Sequence, residues 1–196
     1  MSAKVFWGEI SPCQHLLHLY PDENAFLDIL EEYVSSGLRI GETTIVIATP
    51  GHCDELDRRL EMQGIDVKAA RGSDRYIVRD AAETIDRFMV DGWPDEKRFQ
   101  HTVRDLLSCA RESGPKVRAF GEMVALLWDQ GHCGATVRLE HLWHELSQNV
   151  GFSLLCSYPR SGFTQGGTES LRAICAAHHR TIGPAPPLDE ARFGAP

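Results

Sequence analysis

Four predicted strand ends carry side chains that can move protons or grip a polar ligand. The segment His15-Leu16-Leu17-His18-Leu19-Tyr20 delivers His18 and Tyr20. The β-branched run Thr43 to Ala48 delivers Thr49 and His52. Val117-Arg118-Ala119-Phe120 leads at once into Gly121-Glu122, and Phe152-Ser153-Leu154-Leu155 leads into Cys156 and Tyr158. Imidazole, carboxylate, thiol and phenol together can serve acid–base catalysis, nucleophilic catalysis or binding of a small molecule. Each residue also has a plainer use. His18, between two leucines, reads equally as a hydrogen-bonded core histidine. Glu122 suits a helix N-terminus through the macrodipole. Cys156 in an apolar strand behaves as a small hydrophobe. Trp128 and Trp143 fall at core spacing, although aromatics also wall small-molecule pockets.

Metal and nucleotide chemistry leave weaker traces. Nine His and six Cys include the fragments Cys13-x-His15-x-x-His18, His52-Cys53, His132-Cys133, His141-x-x-His144 and His178-His179. None has the usual zinc spacing, so no metal or other cofactor is expected. His141 and His144 fall opposite the apolar stripe of their helix and are expected in solvent. The phosphate loop Gly-x-x-x-x-Gly-Lys-[Ser/Thr] is absent, as are Gly-x-Gly-x-x-Gly and Gly-x-Ser-x-Gly. Tyr20-Pro21-Asp22-Glu23 follows the first strand, and its two carboxylates would repel phosphate.

The elements that must position these groups alternate between strand and helix. After the first strand, Asp22 is a predicted N-cap for a helix carrying Phe26, Ile29, Leu30, Tyr33, Val34 and Leu38. Thr49-Pro50 reads as a cap followed by proline at the first helical position. Ile65 to Ala69 reads as a weak strand and Tyr76 to Val78 as another. Asp80 and Glu83 form a predicted capping box for a helix presenting Ala81, Ile85, Phe88 and Met89. Gly92-Trp93-Pro94-Asp95 breaks that helix. Helices through Phe99 to Ala110, Met123 to Trp128 and Leu139 to Val150 follow, and a last one presents Leu171, Ile174, Cys175 and His178. This alternation predicts a three-layer α/β sandwich with a mostly parallel central sheet. Ligands of such sheets bind outside the C-terminal strand ends, so the reactive residues are expected to share one rim.

Composition narrows the class further. The chain has 196 residues, 42% hydrophobic and 24% charged, within the ordinary range of a globular domain. Twenty Lys and Arg against 28 Asp and Glu give a net charge of −8, and no basic run appears, so direct nucleic-acid binding is not expected. The longest apolar stretch, Met123 to Trp128, is far short of the roughly 20 residues of a membrane span. The N-terminus has no long apolar core before a cleavage site, so no signal peptide is expected. Scattered cysteines without Cys-x-x-Cys fit reduced thiols in a cytoplasmic protein.

In order along the chain, several segments resemble the MEDS family, the methanogen and methylotroph sensory domain. They are His15-Leu16-Leu17-His18-Leu19-Tyr20, Gly41-Glu42, Phe88-Met89 and Gly92-Trp93-Pro94-Asp95. The longest is Val117-Arg118-Ala119-Phe120-Gly121-Glu122-Met123-Val124-Ala125-Leu126-Leu127-Trp128. Leu139-Glu140-His141-Leu142-Trp143, Phe152 to Tyr158 and Ile174-Cys175-Ala176-Ala177-His178 complete the set. The resemblance implies a RecA-like core without its phosphate loop and a non-enzymatic sensor of simple hydrocarbon derivatives. It also implies a signalling partner such as a histidine kinase or transcription regulator. By position it adds Glu140 and His178 to His18, Glu122 and Cys156 as recurrent polar residues. No output module is recognisable in this sequence.

The sequence is therefore read as an N-terminal extension over 1–11, a sensory domain over 12–182 and a Pro-rich tail over 183–196. A small organic ligand is expected at His18, Tyr20, His52, Glu122, Trp128, Glu140, Cys156, Tyr158 and His178. Two rivals stand beside this reading: a Cys/His-dependent or metal-dependent enzyme, and an interaction module built on an ATPase fold. Self-association stays open, because no dimer face is specified.

Overall fold

A computed structural model describes residues 7, 13–114, 116–162 and 168–183. Trp7 apart, the expected extension over 1–11 lies outside the described residues, as does the expected tail beyond Gly183. The chain begins with β1 (His15–Tyr20), α1 (Glu23–Arg39), β2 (Thr43–Ala48), α2 (Pro50–Met62) and α3 (Val67–Gly72). It continues with β3 (Tyr76–Asp80), α4 (Ala81–Asp86), β4 (Met89–Val90), β5 (Trp93–Pro94) and α5 (Glu96–Ser113). It closes with β6 (Val117–Gly121), α6 (Met123–Asp129), α7 (Cys133–Val150), β7 (Ser153–Pro159), α8 (Thr168–Ala177) and β8 (Arg180–Ile182).

Six strands form one all-parallel sheet in the order β3-β2-β6-β7-β1-β8. The three-layer expectation is met. Leu16, Val46, Ala48, Phe120 and Leu155 pack one face against α1, α2 and α3. Leu17, Leu19, Ile45, Ala119, Leu154, Cys156 and Tyr158 pack the other against α4 to α8. Because successive side chains of a strand point to opposite faces, both faces of a covered sheet must be apolar, which explains the near-continuous runs in β2 and β6.

Local chemistry sets the helix starts. Asp22, Asp66, Asp80 and Asp95 each accept a hydrogen bond from the backbone N–H three residues on, satisfying a donor the helix cannot. Asp22 and Asp80 are thus caps as expected. Thr49 precedes α2, but its side chain makes no capping bond. The weak strand expected over Ile65 to Ala69 is instead the start of α3, because the Asp66 cap turns the backbone into a helix. The helix expected to carry Phe88 and Met89 stops at Asp86. Met89 pairs with Pro94 across a two-residue hairpin whose Asp91 and Gly92 both have positive φ, 50° and 77°, as an Asp-Gly turn of this kind requires. Strand β8 adds a sheet edge that the sequence reading did not include.

One charge is buried in the α1 layer. Arg118 on β6 is 2% exposed, pairs with Glu42, and donates to the Tyr33 carbonyl and the Ser36 hydroxyl. Its guanidinium lies 5.0 Å from the Tyr33 ring centroid. Gly37 makes room for it: a Cβ there would sit 2.7 Å from Arg118 Nε. Removing one partner of a buried pair leaves the other desolvated and alone, so Arg118→Leu should lower unfolding free energy by about 3–5 kcal/mol in denaturant titrations. A loss below ~1 kcal/mol would mean that water reaches Glu42 and solvates it.

Candidate functional site

The pleat divides the residues expected on one rim into two groups on opposite faces of the sheet. His18 and Tyr20 share the α1 face with Leu16 on β1, whereas His15, Leu17 and Leu19 face α4 to α8. Cys156 and Tyr158 likewise lie on the second face, and Ser157 on the first.

The first group is a row of rings ending on a carboxylate. His18 and Tyr20 ring centroids are 5.7 Å apart, Tyr20 and Phe26 5.0 Å, and Phe26 and His52 4.7 Å. Glu122 leaves β6 at the edge of the sheet and is 6% exposed. Its Oε2 accepts from the Thr49 N–H at 2.8 Å, and its Oε1 accepts from His52 Nδ1 at 2.8 Å. The Glu122 N–H donates to the Ile47 carbonyl, which fixes the turn. Glu122 thus binds the N–H of the residue before α2, not a helix N–H that the Thr49 side chain would have capped, and lies near the positive end of α2. A carboxylate only accepts, so His52 Nδ1 bears a proton and Nε2 is aimed outward, 3.6 Å from the exposed Glu23. The Glu122 hydrogen bond raises the His52 pKa, outweighing partial burial. Burial, then Glu122 and Glu23, push the Tyr20 phenol above its ordinary range. His18 meets the Ser157 hydroxyl at 3.3 Å, and burial lowers its pKa to about 4, so at neutral pH it is an uncharged core imidazole.

The second group lies under α7 and α8. Glu140, Cys156 and Tyr158 are fully buried, as is His15, which the sequence reading did not include among the site residues. Its signal was available: period-two alternation places His15 with Leu17 and opposite His18. His15 Nε2 lies 3.3 Å from both Cys156 Sγ and Glu140 Oε2. His178, one residue past α8, brings Nε2 to 3.4 Å from the same Glu140 Oε2. Tyr158 donates to Glu140 Oε1 at 2.5 Å. Burial lowers the His15 pKa to about 3 and the His178 pKa to about 4, and burial followed by Glu140 pushes Cys156 well above an ordinary thiol. An uncharged, inaccessible thiol is a poor nucleophile, which counts against that role for Cys156. His144 was expected in solvent. It is half-buried instead, stacked on His179 at 5.4 Å and 5.9 Å from His15. His141 is exposed as expected. Trp128 flanks the second group: its ring meets Tyr158 edge-on at 6.3 Å, and its indole N–H donates to the Gly162 carbonyl.

An all-parallel α/β domain without a phosphate loop, holding one polar group at its strand ends and another inside a helical layer, has the makings of a binding domain. Residues 14–179 match the family described as the methanogen/methylotroph, DcmR sensory domain, MEDS. The chain belongs to that family. No curated protein matches it. Among the described residues no helix is long and apolar enough to cross a membrane.

A histidine whose folded pKa is raised stabilises the fold fully below its unfolded value, near 6.5, and loses that contribution as pH rises through the folded value. The His52–Glu122 pair should therefore stabilise the domain at pH 6 and progressively less above. NMR titration of the His52 ring should give a pKa above 6.5 that falls in Glu122→Gln. An unchanged value in that variant would remove Glu122 as the cause.

Proposed function

We propose that this chain is the small-molecule-sensing unit of a prokaryotic signalling or transcription system, with its ligand site at the row His18, Tyr20, His52 and Glu122. The observation carrying this reading is the Glu122-oriented His52 ring at the sheet edge. Its Nε2 offers one directed polar contact beside the apolar faces of Phe26 and Tyr20. That pairing of one polar contact with aromatic walls suits simple hydrocarbon derivatives carrying a single heteroatom. Trp128, Glu140, Cys156, Tyr158 and His178 lie apart from this row and are assigned no ligand contact in this reading. A partner such as a histidine kinase or transcription regulator reads the bound state in the cytoplasm, without direct contact between this domain and nucleic acid or membrane. Ligand binding shifts a conformational equilibrium, and a differential affinity of ~1–3 kcal/mol is enough for a useful response.

The test is calorimetry of the purified domain against short alcohols, amines and halogenated methanes. At least one compound is expected to bind saturably, and His52→Ala should weaken it roughly 10-fold or more while the fold is kept, as befits the loss of a hydrogen bond to a charged group. Equal affinity in His52→Ala and Glu122→Gln, both folded, would refute the site; saturable binding by none of these compounds would refute the ligand class.

A further inference from the structure

The chemistry under α7 and α8 is unfinished as a hydrogen-bond network. His15 Nδ1 faces the Ala177 carbonyl at 3.1 Å, and His178 Nδ1 faces the Ile174 carbonyl at 2.6 Å. A carbonyl only accepts, so both Nδ1 atoms carry the proton, and in the neutral rings both Nε2 atoms present lone pairs. Both lone pairs point at one carboxylate oxygen. Glu140 Oε2 and His178 Nε2 are buried without a hydrogen-bond partner. A carboxylate facing two imidazole lone pairs in a dry interior is unfavourable, and a cation between them reverses the sign of every contact.

We propose that His15 Nε2, His178 Nε2, Glu140 Oε2 and Cys156 Sγ bind one divalent transition-metal ion of borderline softness, zinc foremost, in a closed four-coordinate site. The four ligand atoms lie within 4.8 Å of one another. Tetrahedral bonds of the usual zinc lengths set adjacent ligand atoms roughly 3.3–3.6 Å apart. The His15–Cys156, His15–Glu140 and His178–Glu140 separations of 3.3, 3.3 and 3.4 Å already match, so the remaining closure is about an ångström. Charge balances as well: the Glu140 carboxylate and the Cys156 thiolate neutralise a divalent ion, and the thiol proton leaves to solvent on binding.

The surroundings are those of a metal centre. Each imidazole donates its other N–H to a backbone carbonyl, which fixes tautomer and ring direction, and Tyr158 holds the second Glu140 oxygen. With Oε1 so engaged, Glu140 offers a single oxygen, and four protein ligands leave no open position, as in sites that hold structure together. The ion would tie β1, α7, β7 and the segment after α8 into one unit. A cavity of about 310 Å³ between α7 and α8 is lined by His141, His144, Glu145 and Ala177; the His144 ring lies 5.9 Å from that of His15. Spacing along the chain could not announce such a site, because its ligands come from four separate segments. It is independent of the His52 site.

The probe is Co²⁺, titrated into the full chain after chelator stripping under reducing conditions. One equivalent should give tetrahedral d–d absorption and a thiolate-to-cobalt charge-transfer band, and one equivalent of Zn²⁺ should erase both. The charge-transfer band should vanish in Cys156→Ser and persist in Cys53→Ser. Glu140→Gln keeps an acceptor for Tyr158 and so protects the fold; it should bind at least about 10-fold more weakly, in line with losses seen even for outer-shell changes. His52→Ala should bind Co²⁺ as wild type does, which separates this site from the proposed ligand site. No saturation at one equivalent in the wild-type chain would overturn the assignment, as would a charge-transfer band that survives in folded Cys156→Ser.

Discussion

Alternation along β1 and β7 governs what every polar residue near the sheet centre can do. Each strand is flanked by two others, so its backbone groups are committed to the ladder. Only the side chains remain free to act, and each has one compartment open to it. His15 and Cys156 are held under α7 and α8, and His18 and Ser157 are held under α1. A shift of register by one residue would exchange the two sets and place Leu16 and Leu155 among the polar groups of the α7 layer. The apolar residues between the polar ones therefore fix the polar chemistry by fixing the register.

The two compartments treat charge differently. At the sheet edge, Glu122 is stabilised by a backbone N–H at the start of α2 and by an imidazole that still reaches solvent. The Glu122 hydrogen bond favours the protonated form of its neighbour His52. Within the α7 layer, Glu140 has Tyr158 on one oxygen, and two ring nitrogens and the Cys156 thiol near the other. The carboxylate at the rim has a partner on each oxygen, whereas the buried one has an oxygen without a hydrogen-bond partner. Arg118 shows a third solution, in which carboxylate, carbonyl, hydroxyl and an aromatic face surround the charge.

Much of this was legible in the sequence. The parallel α/β class followed from strand–helix alternation, and Asp22 and Asp80 marked helix starts. Glu140, Cys156, Tyr158 and His178 were singled out, the first and last through the family resemblance. What failed was grouping. Residues placed together at strand ends belong to opposite faces, and Cys156 sits in mid-strand because β7 runs on to Pro159. His15 was passed over because strand-end reasoning looks at the last residues of a strand, not its first. Asp91-Gly92 carried a hairpin signal that the expected helix obscured. Strand β8 has three residues and depends on β1 for pairing, so no local pattern distinguishes it from a tail.

The faces are separate in chemistry but share a backbone. Leu17 pairs with Cys156 and His18 with Ser157, so the residues holding the two polar groups are neighbours in one ladder. A tilt or slide of β1 against β7 would alter both compartments at once. That adjacency supplies a route between them and nothing more; coupling also needs an element with two arrangements that both sites bias. The segment from His178 through β8 is the best placed to be that element. It holds one residue of the buried group, and its three-residue strand pairs with β1 alone at the edge of the sheet. This edge strand has ladder partners on one side only, and its Ile182 packs into the α1 layer. It joins the sheet through β1, the strand that also carries His18 and Tyr20.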